Sequence, residues 1–217
     1  MKKTQVKRYL FASALAAALM IGGMFAASLV WPQLNAFNFT LVADPTEYQA
    51  ALLATDLPLR VFLTLDNLFL TFYTAAFIFL AIRLWSKERG QILIAVALGA
   101  LLVTAYLDLQ ENHELITFLD MSQLGWAIEP QMLHSRMVWS QLKFHSSYLG
   151  LFLFAFLLPD KTLTEKVLRW TLLVAFVPIG ILVYTFPQPI FELLRFTGML
   201  AGLALLAWNT WQELKRD

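Results

Sequence analysis

Residues 61–85 read VFLTLDNLFLTFYTAAFIFLAIRLW, twenty-five positions that contain one acid, Asp66, and one base, Arg83 near the far end. A helix needs about 20 apolar residues to cross the hydrocarbon of a bilayer. This stretch is apolar nearly all round and lacks the every-second-residue alternation of a transmembrane strand. It therefore reads as a transmembrane helix that carries one acid about six residues, or roughly 9 Å, from its start. Working outward, five more stretches have the same character: 9–31, 91–109, 139–158, 170–186 and 190–211. The expected fold is all-α, a polytopic six-span transmembrane helix bundle forming a single integral membrane domain over 1–217.

Composition agrees with this. Of 217 residues, 59% are hydrophobic and 14% charged, with mean hydropathy +0.64, outside the range of ordinary soluble domains. Six spans use most of the chain and leave no room for a separate soluble domain. The absence of Cys excludes a disulfide framework, thiolate chemistry, Cys-ligated zinc and iron–sulfur clusters. Trp31, Trp85, Trp139, Trp170, Trp208 and Trp211 stand at span ends, where indole rings favour the headgroup region.

The distribution of Lys and Arg sets the expected orientation. Twelve of the sixteen basic residues lie on one side: Lys2, Lys3, Lys7 and Arg8; Arg83, Lys87 and Arg89; Lys161, Lys166 and Arg169; Lys215 and Arg216. Only Arg60 and Arg136 fall in opposite connectors, and Lys143 and Arg195 lie within spans. Both termini are expected in the cytoplasm, in a bacterial inner membrane. The first span follows Met1-Lys2-Lys3, as a secretory signal does, but its run of about twenty residues exceeds the usual signal core of 7 to 15. It is expected to be retained; cleavage near Ala26, Ala27 and Ser28 would leave five spans.

The long connectors are then extracytoplasmic. Asp44-Pro45-Thr46-Glu47 reads as a helix start with Asp44 as cap, Pro45 at the first helical position and Glu47 closing a capping box. The helix after it would run through Leu52 and Leu53 along the membrane surface. Leu115, Ile116, Phe118, Leu119 and Trp126 suggest a second surface helix, interrupted near Gly125 and Pro130. Thr162-Leu163-Thr164-Glu165 is a further capping box, on the inner side.

A charged side chain inside a span costs about 2.5–3.5 kcal/mol on insertion scales, so its position is informative. Asp66 and Asn67 on the second span, Asp108, Glu111 and Asn112 on the third, Lys143 and His145 on the fourth, and Glu192 and Arg195 on the sixth all fall in the outer third of the membrane. Asp108, Glu111 and Asn112 share one helix face by i, i+3, i+4 spacing. On the fourth span Gln141 and His145 share one face, and Lys143 and Ser147 another. Lys143 is expected to point inward, since it supplies the charge the carboxylates need. Glu192 and Arg195, at i, i+3, can neutralise each other. Phe69 and Tyr73 share the face of Asp66, and the Tyr73 hydroxyl could donate into the layer.

Asp66, Asn67, Tyr73, Asp108, Glu111, Asn112 and Lys143 are thus the candidate polar pocket. A catalytic metal is not expected: no His-x-x-x-His pair is present, and Glu111, His113 and Glu114 with His134 and His145 make a poor ligand set. Ser146 and Ser147 lack a nucleophile frame. No Walker loop or dinucleotide fingerprint exists, so neither a cofactor nor a nucleic-acid partner is expected.

Phe39-Thr40-Leu41, Leu65-Asp66 with Phe69 and Tyr73, Asp108-x-x-Glu111-Asn112, and Lys143-Phe144 together make a pattern. It resembles an uncharacterised family of small bacterial polytopic membrane proteins over about 37–157. That family has no assigned activity, so the resemblance implies a fold and a polar constellation only. His113 and His145 are outside its pattern.

The expected function is recognition of a small polar or amphiphilic molecule, such as a lipid headgroup, in an outer-leaflet pocket. The alternatives are an accessory subunit whose ion pairs only fix helix packing, and a lipid-modifying enzyme using Glu111 or Asp108 as general base or metal ligand. No inverted repeat or broken helix pair supports a transporter, which would need a homodimer to build a path.

Overall fold

In the computed structural model, residues 2–34, 39, 42–85, 90–186 and 188–216 are described. Thr40 and Leu41 of the Phe-x-Leu pattern, and Lys87 and Arg89 of an inner connector, lie outside the described residues. Every regular element among the described residues is helical: α1 (Lys3–Val30), α2 (Pro45–Ala54), α3 (Asp56–Leu84), α4 (Gln91–Gln123), α5 (Pro130–Ala155), α6 (Leu163–Trp170), a π-helical segment (Thr171–Phe176), α7 (Val177–Thr185) and α8 (Pro189–Leu214). The segment Leu163–Thr185 behaves as one long helix.

Five helices are long and apolar enough to cross a membrane: α1, α3, α4, the α6–α7 run and α8. The fourth expected span, on α5, is not among them. Helix α5 has 26 residues, ample in length, but Gln141, Lys143, His145, Ser146 and Ser147 make its middle too polar to count by composition.

Several boundaries also differ from expectation. Helix α4 does not stop at Leu109. It runs on to Gln123, so the second surface helix is no separate element but the outer end of α4. Glu111, Asn112, His113 and Glu114 therefore lie within the helix, not at its end. Helix α5 begins at Pro130, nine residues before the expected start, because Pro occupies its first turn instead of interrupting a helix. The helix that carries the fifth span begins at Leu163, where Thr162 and Glu165 form the capping box read from the sequence. Pro178 then removes one backbone N–H within the run, and the preceding six residues adopt the wider π-helical winding.

Each long helix packs on its sequence or ring neighbours. Helix α1 lies along α3 and α8, α3 along α4, α4 along α5, α5 against the π-helical segment and α7, and α6 and α7 against α8. The six long rods therefore close a ring, and side chains fill most of its interior. At the inner end, Leu10, Ala76, Leu80, Ile94, Ala97 and Phe154 form one buried cluster. Gly150 permits the close approach of α5 to α4, since a Cβ there would lie 2.6 Å from Leu101 Cγ and 2.9 Å from the Ala97 carbonyl oxygen.

The outer end is closed by a cap. The Asp44 carboxylate accepts from the Thr46 and Glu47 amides at 2.9 and 3.0 Å and starts α2. Tyr48 and Leu52 are buried against Phe118 and Leu119 of the α4 extension, while Leu53 is exposed. Arg60 bridges Asp56 and Asp120, both at 2.7 Å, tying α3 to the far end of α4. At the inner end, Glu213 of α8 takes both Arg83 of α3 and, at 3.6 Å, Lys7 of α1.

Candidate functional site

The polar layer gathers under the cap, inside the ring. Helix α5 presents Arg136, Ser140 and Lys143 to the interior at near-heptad spacing, all buried, while Gln141 and His145 turn outward. Lys143 is held between the carboxylates that α4 brings to one face: its ammonium lies 2.8 Å from Asp108 Oδ1 and also contacts Glu111 Oε2. Glu111 Oε1 accepts from Arg136 at 2.9 Å. Asp108 Oδ2 accepts from the Tyr73 hydroxyl at 2.9 Å. Each carboxylate oxygen of the Asp108 and Glu111 pair thus has a donor.

Asn112 is buried and donates to Asn67 Oδ1 at 3.1 Å. Asn67 is spent on that helix-to-helix bond and does not line the cavity, unlike the other six candidate residues. Asp66 has no salt bridge among the described residues. It lies within the field of Lys143 and Asp108 and next to the Asn112 amide.

Two residues that sequence reasoning did not place in the site belong to it. Arg136 counted as a connector charge, yet α5 begins early enough to carry it into the layer. Its guanidinium is 3% exposed and also lies 5.9 Å from the centre of the Tyr48 ring. Arg195 pairs with Glu192 in its own helix, as the spacing suggested, but it also stacks over Phe144 of α5 at 3.6 Å. The adjacent Lys143-Phe144 thus supply a cation and a ring platform on two sides of the same turn. Tyr148, one turn further, abuts Gly180 of α7, where a Cβ would come 2.0 Å from the ring. The glycine is what lets that ring lie flat between the helices.

Outside the membrane segments, the Tyr48 hydroxyl is pushed up to about 12 by burial, with Arg136 acting in the opposite direction.

These groups line a cavity of about 260 Å³. Along α3 it extends from Leu59 to Leu80, 21 residues apart and so about 30 Å long. Its outer part holds all the charge: Asp66, Asp108, Glu111 and Glu192 against Arg136, Lys143 and Arg195. Its inner part is walled by Phe77, Leu80, Leu101, Phe154, Leu168 and Leu206, without a polar side chain. The charged groups therefore both touch one another and surround a space.

Among the described residues, no three His, Asp or Glu side chains are grouped so as to hold a metal ion. His113 and His145 are exposed and bond through Nδ1 to carbonyls of their own helices, Leu109 and Gln141. Compared with protein-family models, with curated proteins and with solved structures, the chain matches none.

Proposed function

We propose that this is a multi-pass protein of a bacterial inner membrane, with both termini cytoplasmic, whose cavity receives an amphiphilic molecule from the outer leaflet. The carrying observation is the polarity of one continuous narrow space, charged near the cap and apolar for the rest of its length. A headgroup matches the first part and a single hydrocarbon chain the second. A pocket for a small polar solute would have no use for the apolar space beneath it.

Helix α5 serves as the sixth span in this reading. Its most costly groups, Arg136 and Lys143, face carboxylates inside the ring, which removes the objection its composition raises. The accessory-subunit reading draws on the direct contacts of Lys143 with Asp108 and Glu111, since a satisfied buried cluster can serve helix register alone. It does not account for the cavity.

The test is lipid occupancy. Gly202 of α8 lines the cavity and has nothing within 4 Å of where its Cβ would be. Gly202→Phe should fill the space without displacing a helix. Native mass spectrometry of the purified wild type should show a lipid retained through detergent exchange, and the variant should lose it. Equal retention by both proteins would place that lipid on the outer surface and end the pocket reading.

A further inference from the structure

The fold leaves two sets of polar groups around the cavity incompletely answered. The first is Asp66, a carboxylate lining the space with no salt bridge among the described residues. The second is a cluster of donors where α5, α7 and α8 meet. Arg195 is 8% exposed and uses one nitrogen on Glu192, but its Nη1 has no hydrogen-bond partner. Tyr148 is 4% exposed and its hydroxyl is unpartnered, as is the nearby Tyr184 hydroxyl. Both hydroxyls lie beside Arg195, whose N–H groups can turn to their oxygens, which leaves the two O–H donors in need of an acceptor. Buried polar groups are almost always hydrogen-bonded, and a set of exceptions in one place requires a reason.

Charge decides what could satisfy both. The cavity lining has four carboxylates against three cations. A plain anion at Arg195 would deepen that imbalance. A plain cation at Asp66 would correct it but leave the Tyr148 and Tyr184 O–H donors without an acceptor. A water could accept two of their bonds, yet it would bring two further donors to a place already short of acceptors. A group bearing both charges meets both demands and leaves the sum unchanged.

We propose that the ligand headgroup is a zwitterion, its ammonium against Asp66 and an oxyanion oxygen against Arg195 and Tyr148. Asp66, Tyr148 and Arg195 line the same cavity, and Lys143 and Arg195 lie 4.5 and 3.6 Å from the centre of one ring, Phe144. The seam between α5 and α7, where His145 flanks Tyr148 and Tyr184 from the exposed face of α5, is the side from which such a headgroup would enter. This assignment rests on the pocket reading above and specifies its occupant.

The full-length protein is purified in detergent and offered equal amounts of phosphatidylethanolamine and phosphatidylglycerol with identical chains, and bound lipid is weighed by native mass spectrometry. The wild type should hold the ethanolamine lipid about tenfold over the glycerol lipid, the size of one charge-assisted hydrogen bond. Asp66→Asn, which keeps the shape of the side chain, should bring that ratio close to one. Tyr148→Phe should weaken the ethanolamine lipid about fivefold. Should Asp66→Asn not fold, the wild-type ratio and Tyr148→Phe decide the matter between them. Soluble phosphoethanolamine separates the two sources of this chemistry: displacement of the lipid assigns a free metabolite, and no displacement assigns a membrane lipid. Equal holding of both lipids by the wild type, or a preference that survives Asp66→Asn, overturns the zwitterion. If the glycerol lipid alone is held, the pocket stands and only the headgroup assignment falls. If neither lipid stays and Gly202→Phe behaves as wild type, the pocket reading fails with it.

Discussion

At the scale of single residues, one ammonium ties the centre of the layer together. Lys143 faces Asp108 and Glu111 together, and removing a partner from a buried ionic set costs more than the set contributes as a whole. Lys143→Met should destabilise by about 3–5 kcal/mol in a reversible membrane-protein unfolding assay. Adding Asp108→Leu and Tyr73→Phe should recover most of that loss. The third change is needed because Tyr73 would otherwise keep a buried hydroxyl with no acceptor. If Lys143→Met alone matches wild type, the ammonium is not compensating the carboxylates. Tyr48 makes a separate prediction for the cap. Its hydroxyl is held neutral by burial up to about pH 12, whereas an unfolded tyrosine ionises near 10. A raised folded pKa contributes stability that is complete below about pH 10 and is lost as pH rises toward 12. Cap stability, followed by amide exchange in α2, should therefore fall between pH 10 and 12 in the wild type. Tyr48→Phe should flatten that fall, and an unchanged pH profile in the variant would remove Tyr48 as its source.

Helices meet at glycines that are not equivalent, and the difference can be measured. At Gly150 a Cβ would meet a backbone oxygen, which cannot rotate away, so α4 and α5 would have to separate. At Gly99 nothing lies within 4 Å. Gly150→Ala should lower the thermal midpoint and cost about 1–3 kcal/mol, the range for overpacking. Gly99→Ala should be neutral or gain up to about 1 kcal/mol from helix propensity. Equal effects at both sites would mean that α4 and α5 do not pack as described. The elements themselves were readable wherever apolar length was the signal, as in α1, α3 and α8. They were misread where a helix continues past the hydrocarbon. Beyond Leu109 the pattern of α4 changes from apolar all round to amphipathic, with Leu115, Phe118 and Leu119 turned to the cap, and hydropathy alone reads that change as an end. The same cause hid Arg136: an arginine ahead of the apolar run looks like a connector charge until Pro130 is recognised as the first turn of α5. Asp108, Glu111 and Lys143 could be grouped by depth and face, because helical geometry fixes both. The cluster of Tyr148, Tyr184 and Arg195 could not, since it depends on which helices are neighbours in the ring and on Gly180 leaving room for a ring.

For the whole molecule, the two ends differ in charge. The cap end exposes Glu47, Asp56, Asp120 and Glu129, and the opposite end holds Lys7, Arg83, Lys161, Lys166 and Lys215. In the proposed orientation the basic connectors stay in the cytoplasm during insertion and the cap faces outside. In the proposed topology α5 crosses as well, so that Glu129 before it and Asp160 after it lie on opposite faces of the membrane. A chain without cysteine allows both points to be tested with single insertions and no background. Glu129→Cys and Asp160→Cys replace exposed residues; Asp160 gives up only a surface pair with Arg169, worth well under about 1 kcal/mol. On intact cells, a membrane-impermeant maleimide should label Glu129→Cys at once and Asp160→Cys only after permeabilisation. The reverse pattern would invert the protein and turn the charged end of the cavity toward the cytoplasm. Labelling of both from outside would mean that α5 does not cross, and the termini would then lie on opposite sides of a five-span protein. Arg136 and Lys143 would in that case sit in a re-entrant helix open to the periplasm, and the headgroup would be met by solvated charges instead of a buried layer.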